Sequence, residues 1–201
     1  MKKYGFIIFI AIIAIFFGKE FLVSQNNSLQ IVAEKDYLLI KSSTGNIWGY
    51  GNTPSPDAVN LAQSLSSFFR KPQIIDIFSL DKDKHHQDSQ ITLTKISQNV
   101  AHIAINDTTL LAIHKDFSDD EREKLINSPV SLKADFHILN KNSVLSFLPQ
   151  PRQGVLYISN NNPSKKTNEI FREKNIPLIS TRETGGFMLE ITKYNVDFFT
   201  R

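Results

Sequence analysis

The alternation of apolar and polar residues early in the chain predicts a β-meander. LQIVAE and YLLIKS are two apolar-rich runs separated by Lys35 and Asp36, and NIWGYG comes after the turn sequence TGN. Runs of this kind pair as antiparallel strands because the residues between them favour tight turns. We therefore predict three antiparallel strands at the start of a folded domain that begins near Leu29.

Three segments carry helix signals. Ser55 precedes Pro56, which is a favoured helix start. Ser118 and Glu121 form a capping-box pattern for a second helix, and a third is predicted over residues 164–174. The first helix has small and apolar residues at helical spacing, which predicts a face packed on a sheet: Ala58, Ala62, Leu65 and Phe69.

Further runs of β-prone residues lie between and after these helices. A mixture of early hairpins and later β-α-β units predicts a layered α/β (α+β) domain and excludes a helical bundle or a solenoid. The runs are QIIDIFS, ITLTKIS, VAHIAIN, TLLAIH, ADFHIL, GVLYIS, PLIST and GGFMLEI.

The first residues of the chain predict a membrane anchor. Residues 4–18 contain no charged side chain, and a helix over residues 4–23 has a length of about 30 Å, which matches a bilayer core. By the positive-inside rule, Lys2 and Lys3 place the amino terminus in the cytoplasm and the residues after Ser24 outside it. A cleaved signal peptide and a buried core helix are the alternative interpretations.

These features divide the chain into three parts. Residues 1–23 form the predicted transmembrane anchor or signal peptide, residues 24–28 a polar linker, and residues 29–201 a single domain on the outer face of the cytoplasmic membrane. A chain of 201 residues has room for one such domain and not for a second of full size.

The composition excludes several kinds of binding site. The net charge is +3, and the lysines near the amino terminus account for most of it, so the domain is not a strongly cationic nucleic-acid-binding domain. There is no cysteine, which excludes disulfides and thiolate zinc sites. The phosphate-binding and dinucleotide-binding glycine patterns are absent from the sequence, so no nucleotide cofactor is expected.

The order of elements resembles the metallo-β-lactamase fold, in particular the domain that closes ComEC-type competence proteins, which take DNA across the membrane. The matching order is a strand pair and turn, a helix, a strand before a His/Asp-rich loop, the hairpin AHIAINDTTLLAIHKD, a short helix, and the strands LKADFHIL and LYIS. IPLISTRETGGFMLEI resembles that domain's final hairpin. The resemblance implies an αββα layered sandwich behind one N-terminal membrane helix.

The resemblance also implies where metal ligands would lie. The family binds a pair of zinc ions with an H-x-H-x-D-H loop, a later aspartate and further histidines. One register places Asp81, Asp83, His85 and His86 on the loop positions, and Asp116 on that of the later aspartate. A register shifted by one residue instead places Leu80, Lys82, Lys84 and His85 there. Zinc or manganese is the expected cofactor if this site is active.

The paired histidines that the family carries after an Ala-Asp strand are missing. The residues after Ala134 and Asp135 include Asn140, Lys141 and Asn142. A lysine ammonium is a poor neighbour for a dizinc centre because like charges repel. This difference predicts the loss of hydrolase activity.

Each polar cluster also has a purely structural interpretation. Residues 81–88 are typical of a solvated loop of alternating charges. His102 and His137 lie within apolar runs, which favours core or edge positions, and Asp135 fits a cap or turn. Residues 180–183 before two glycines are typical of a hairpin turn. The cations of residues 164–174 alternate with Glu169 and Glu173, which favours a solvated helix face.

The sequence therefore predicts a membrane-anchored, extracytoplasmic domain that binds rather than hydrolyses, in the setting of DNA uptake. One alternative is a metal-dependent phosphodiesterase or nuclease that uses the five predicted ligands. A second is an envelope scaffold that binds a protein partner through the hairpin around Trp48 and Tyr50.

Overall fold

Two β-sheets form the centre of the protein. The computed structural model describes residues 29–66, 72–80, 85–88, 90–114, 118–128, 130–141, 148–192 and 195–200. The strands are β1 Leu29–Glu34, β2 Tyr37–Lys41, β3 Ile47–Gly51, β4 Ile74–Asp76, β5 His85–Asp88, β6 Ile91–Lys95, β7 Val100–Ile105, β8 Thr108–Ile113, β9 Phe136–Leu139, β10 Gly154–Tyr157, β11 Leu178–Ser180, β12 Phe187–Ile191 and β13 Val196–Thr200.

The helices in the described residues are short. They are α1 Pro56–Leu65, α2 Asp119–Ile126, α3 Lys165–Glu173 and α4 Thr181–Thr184, with a 3-10 turn at Ile77–Ser79.

The first sheet has the order β13-β12-β1-β2-β3-β4. Its strands are antiparallel except for β3 and β4, which run parallel. The turn between β1 and β2 has Lys35 at a φ of 51°, a conformation that tight hairpin turns require. The predicted meander of three strands is confirmed.

The second sheet has the order β11-β10-β9-β8-β7-β6-β5. Strands β5 to β8 are antiparallel neighbours, whereas β8, β9, β10 and β11 run parallel. The predicted hairpin AHIAINDTTLLAIHKD is confirmed as β7 and β8. The carboxyl ends of four parallel strands consequently lie side by side.

The strands alternate between two apolar environments. In β1, Ile31 and Ala33 contribute to the core between the sheets, whereas Val32 packs in a second cluster with α1. In β8, Leu110 belongs to the core between the sheets and Leu111 to a third cluster that includes residues of α2 and α3. Successive side chains of a strand point to opposite faces, so the layers are helix, sheet, sheet and helix. The predicted mixed α/β class is confirmed.

The predicted helix starts are confirmed at their caps. The Ser55 side chain accepts from the backbone of Ala58, and Ser164 does the same for Thr167. Ser118 and Glu121 form the reciprocal capping box. Helix α1 ends at Leu65, and Phe69 lies outside the described residues.

The polar run near His85 is not entirely the loop that the sequence predicts. Residues His85–Asp88 form β5, which pairs with β6 from His85 opposite Thr94 to Asp88 opposite Ile91. The Asp88 carboxylate also accepts hydrogen bonds from Thr44 and from Asn46 Nδ2. Strand β6 provides backbone hydrogen-bond partners for residues 85–88, and the polarity of these residues does not predict this pairing.

The predicted final hairpin is wrong. Strand β11 belongs to the second sheet and β12 to the first, so the residues between them cross from one sheet to the other. The crossing is the short helix α4, after which Gly185 has a φ of 75°. Glycine supplies the positive φ as predicted. An additional strand, β13, comes after β12 and was not predicted.

The predicted anchor and linker, residues 1–28, lie outside the described residues. Of the helices in the described ranges, none is long and apolar enough to cross a membrane.

His137 is a buried histidine on β9. Its side chain is 3% exposed, and its Nε2 atom has no hydrogen-bond partner among the described residues. Burial lowers the pKa of His137 from its ordinary value of 6.5 to about 4, because the charged ring loses its hydration. The predicted core position is confirmed.

We predict that His137 makes folding sensitive to mild acid. The unfolded chain binds a proton near pH 6.5, while folded His137 stays neutral until about pH 4. The free energy of unfolding is therefore lower at pH 4 than at pH 7 by up to about 3 kcal/mol from this group. Urea unfolding at several pH values should show this loss reduced in His137→Leu relative to the parent.

His102→Leu is the matched control, because His102 on β7 is only half-buried. Burial lowers the pKa of His102 as well, and we expect a smaller effect. Parallel curves for the parent and His137→Leu would show that His137 does not control acid stability.

Candidate functional site

Polar side chains follow the carboxyl ends of the four parallel strands of the second sheet. His114 comes directly after β8, Asn140 after β9, Ser159 shortly after β10, and Thr181 after β11. Ligands of α/β proteins bind preferentially outside the carboxyl ends of parallel strands, because loops there bring side chains from several strands together. We refer to this edge as the carboxyl edge.

Aromatic rings surround His114. The ring of Phe78 stacks on it with a centroid distance of 5.1 Å and an interplanar angle of 27°. Tyr50 contacts it edge-on at 6.3 Å. The Tyr50 hydroxyl donates a hydrogen bond of 2.7 Å to the carbonyl of Ile113, and burial raises the pKa of Tyr50 well above its ordinary value. Tyr50 is therefore a fixed neutral support, while Phe78 and His114 are only partly buried.

Asn140 holds His114 from the neighbouring strand. Its Nδ2 atom lies 3.2 Å from His114 Nδ1, and its Oδ1 atom is buried without a hydrogen-bond partner among the described residues. With the amide in this orientation Nδ2 donates and Nδ1 accepts, so neutral His114 carries its proton on Nε2. Asn140 thus fixes the orientation of the His114 ring.

Lys95 at the end of β6 fixes the turn that carries Phe78. Its ammonium donates hydrogen bonds of 2.6 Å to the carbonyl of Phe78 and 3.0 Å to that of Leu80. Asp76 caps the same turn by accepting from the backbone N–H of Phe78 at 2.8 Å. The turn Ile77–Ser79 is thus held from both sides, and a positive charge lies immediately before Asp81.

His86 is the predicted metal ligand whose side chain the structure describes. It is half-buried, and its ring contacts Trp48 edge-on at 6.3 Å. Neither His86 Nε2 nor Trp48 Nε1 has a hydrogen-bond partner among the described residues. Trp48 and Tyr50 are two positions apart on β3 and share a face, so His86 and His114 lie along the same aromatic row.

The other predicted ligands contribute less to the described structure. The backbone of His85 pairs in β5, and Asp81, Asp83 and Asp116 lie outside the described residues. Within the described ranges, no three His, Asp or Glu side chains lie close enough together to hold a metal ion. The metal site therefore stays a prediction.

The remaining polar residues have structural roles. Asp135 Oδ2 accepts hydrogen bonds from the backbone and hydroxyl of Thr109 at 2.8 and 2.9 Å, and Arg152 lies 3.7 Å from Asp135 Oδ1. This carboxylate caps the start of β9, at the opposite end from His114. On α3, Lys165 pairs with Glu169 at 4.0 Å on the solvent side.

The hairpin predicted to bind a protein partner does not expose its aromatic side chains. Trp48 is 5% exposed and Tyr50 is fully buried, because both contribute to the core between the sheets. Their rings contact those of His86 and His114. Binding of a protein partner by this hairpin stays a prediction, and it would have to use residues other than these two buried side chains.

Two residues of the site were missed by reasoning from sequence. Phe78 and Lys95 act together, yet one belongs to a turn after β4 and the other to β6. The one local signal is Asp76 two residues before Phe78, which is typical of a capped turn.

Models of known protein families give no match to this chain, and the search of curated proteins found no significant match either.

We predict that neutral His114 has its proton on Nε2. The amide of Asn140 donates to Nδ1, which leaves Nε2 as the protonated atom. Nitrogen chemical shifts of selectively labelled histidine, assigned with His114→Gln, measure this tautomer directly. Protonation on Nδ1 would mean that Asn140 Oδ1 is the acceptor. His114 would then donate from Nδ1 and leave Nε2 unprotonated, as a metal-binding histidine does.

Proposed function

We propose that the chain is a membrane-anchored, extracytoplasmic domain of metallo-β-lactamase-like architecture that binds single-stranded nucleic acid at its carboxyl edge and does not hydrolyse it. The four-layer arrangement of helices and sheets and the apolar residues 4–18 support this proposal. The setting of DNA uptake comes from the resemblance to competence proteins.

The contact between His114 and Asn140 is the main observation in support of the proposal. In metal sites, the ring nitrogen that does not bind the metal usually donates to a carboxylate or carbonyl. Here His114 Nδ1 faces the Nδ2 atom of Asn140, which is a donor. A histidine whose Nδ1 accepts a hydrogen bond is suited to stacking and hydrogen bonding rather than to metal binding.

Lys95 supports the same conclusion. Its ammonium is bound at Phe78 and Leu80, directly before the segment with Asp81 and Asp83 that the resemblance assigns to metal ligands. A cation fixed at this point repels a divalent ion and attracts an anion such as a phosphate. The position therefore favours nucleic acid over a pair of zinc ions.

Phe78, His114 and Asn140 together provide a surface for a base. The partly buried rings of Phe78 and His114 offer a stacking face, which every nucleobase can use. Asn140 holds the His114 ring in place for this stacking through its contact with Nδ1. Single strands fit this surface because their bases are accessible for stacking.

The alternative function is a metal-dependent phosphodiesterase that uses Asp81, Asp83, His85, His86 and Asp116. The observation that favours it is the buried Nε2 atom of His86, which has no partner among the described residues. A metal ion would satisfy that atom.

We predict that the purified full chain in detergent retains no stoichiometric zinc or manganese after dialysis against each metal. Elemental analysis measures the content, with Asp83→Ala/His85→Ala as the matched control. Roughly one or two metals per chain in the parent, lost in the control, would contradict the proposal and support the phosphodiesterase.

We predict that the full chain binds a fluorescein-labelled oligothymidylate and that Phe78→Leu weakens this binding by roughly tenfold, because one stacked base contributes about 1–3 kcal/mol. Fluorescence anisotropy at several salt concentrations measures the affinity. Phe199→Leu is the control, since Phe199 is a half-exposed phenylalanine outside the carboxyl edge. Equal affinities for the two variants would exclude the Phe78 surface as the binding site.

A further inference from the structure

Strand β13 is an exposed edge strand of the first sheet. It pairs with β12 along its whole length, and no other strand lies beside it in the described part of the chain. Phe198 is 40% exposed and Phe199 is 47% exposed, and as neighbours on a strand they point to opposite faces. The Phe198 ring lies 5.5 Å from that of Phe187, which is fully buried in the core between the sheets. The apolar core thus continues to the surface at this edge.

This edge lacks the features that keep edge strands unpaired. Natural proteins protect sheet edges with very short strands, charged side chains, proline or β-bulges. The other three edges of the described sheets fit this rule, since β4 and β11 have three residues each and β5 is the polar sequence HHQD. Strand β13 has five residues, two of them exposed phenylalanines, and it contains no proline and pairs without a bulge. Such an edge is a template for a further strand.

The hydrogen bond that precedes β13 determines which of its backbone groups face outward. The N–H of Thr192 donates to the carbonyl of Asn195 at 2.9 Å, so these two residues form a hydrogen-bonded pair. Along an antiparallel ladder, hydrogen-bonded pairs alternate with pairs whose backbone groups point away from each other. The N–H and C=O groups of Val196, Phe198 and Thr200 therefore point away from β12, toward the open side of the edge.

These outward groups match a second copy of the same strand. When two β13 strands lie antiparallel with Phe198 opposite Phe198, each Val196 is opposite Thr200 of the other copy, and every such pair exchanges two backbone hydrogen bonds. The two Phe198 side chains share a face, with Cβ atoms about 5 Å apart, so their rings are in contact. A register centred on Asp197 or on Phe199 leaves one outward residue without a partner in the strand.

Charge favours the same register. Glu190 of β12 is already opposite Asp197. A register centred on Asp197 would bring the two Asp197 carboxylates opposite each other, with a Glu190 on either side, and like charges in direct opposition destabilise a sheet. The register centred on Phe198 instead places Asp197 opposite Phe199 of the other copy. It therefore forms the most hydrogen bonds and avoids this repulsion.

We infer that β13 pairs with β13 of a second copy of this chain, antiparallel and centred on Phe198, so that the first sheets of the two copies form one continuous sheet. Each copy contributes the same strand, as in a two-fold symmetric dimer. A strand of five residues buries less area than a standard interface, so the dimer dissociates on dilution. The inference is independent of the proposed nucleic-acid binding.

Sedimentation equilibrium of the full chain in density-matched detergent tests the inference, because it measures the mass of the protein without that of the detergent. We expect the parent to be mostly dimeric at about 200 μM. Phe198→Glu and Phe198→Lys each bring like charges together at the two-fold axis, and each should weaken the dimer by at least about tenfold. An equimolar mixture of the two variants should restore it, because opposite charges then face each other.

Ile126→Glu is the matched control, because Ile126 is 66% exposed on α2, away from β13, and this variant should dimerise like the parent. A parent that stays monomeric at about 200 μM would overturn the inference and leave the edge to a different partner. A Phe198→Glu chain that dimerises as tightly as the parent would also overturn it, since the contact would then lie elsewhere in the chain. A mixture of the two charged variants that stays monomeric would exclude the register centred on Phe198.

Discussion

Tyr50 reaches from one sheet to the other, and its hydroxyl donates a buried hydrogen bond of 2.7 Å to the carbonyl of Ile113. This bond fixes the end of β8 against β3, so the ring of His114, the next residue, contacts those of Tyr50 and Phe78, which also contact each other. The packing of the two apolar faces makes such a bond strong, because water does not compete for the groups involved. The geometry of the carboxyl edge therefore depends on how the sheets face each other.

The parts of the fold that could be predicted from sequence are those with local signals. Ser55, Ser118 and Ser164 cap helices within a few residues of their own positions, and the hairpin of β7 and β8 closes through a tight turn. Strands β11 and β12 could not be assigned correctly, because their partners are β10 and β1 in different sheets. A strand of three residues such as β11 has no pattern long enough to reveal which sheet it joins.

The candidate site also contains some residues that the sequence identifies and others that it does not. Histidines and aspartates can be identified from residue type, and Asn140 can be singled out as an amide at a position where the resemblance implies histidine. Lys95 and Phe78 could not be identified, because their roles require β6 to lie beside the turn after β4. His86 was treated as a loop residue, whereas pairing with β6 places it in a strand against Trp48.

Strand β1 leads from the start of the described domain to the carboxyl edge. It begins at Leu29, and the turn at Lys35 ends it. The hydroxyl of Thr181, at the carboxyl end of β11, donates to the carbonyl of Lys35, so this turn lies against the carboxyl edge. A strand of six residues separates the two ends by about 20 Å. In the arrangement that we propose, the anchor enters the domain at Leu29, and the carboxyl edge with His114, Phe78 and Asn140 lies at the other end of β1.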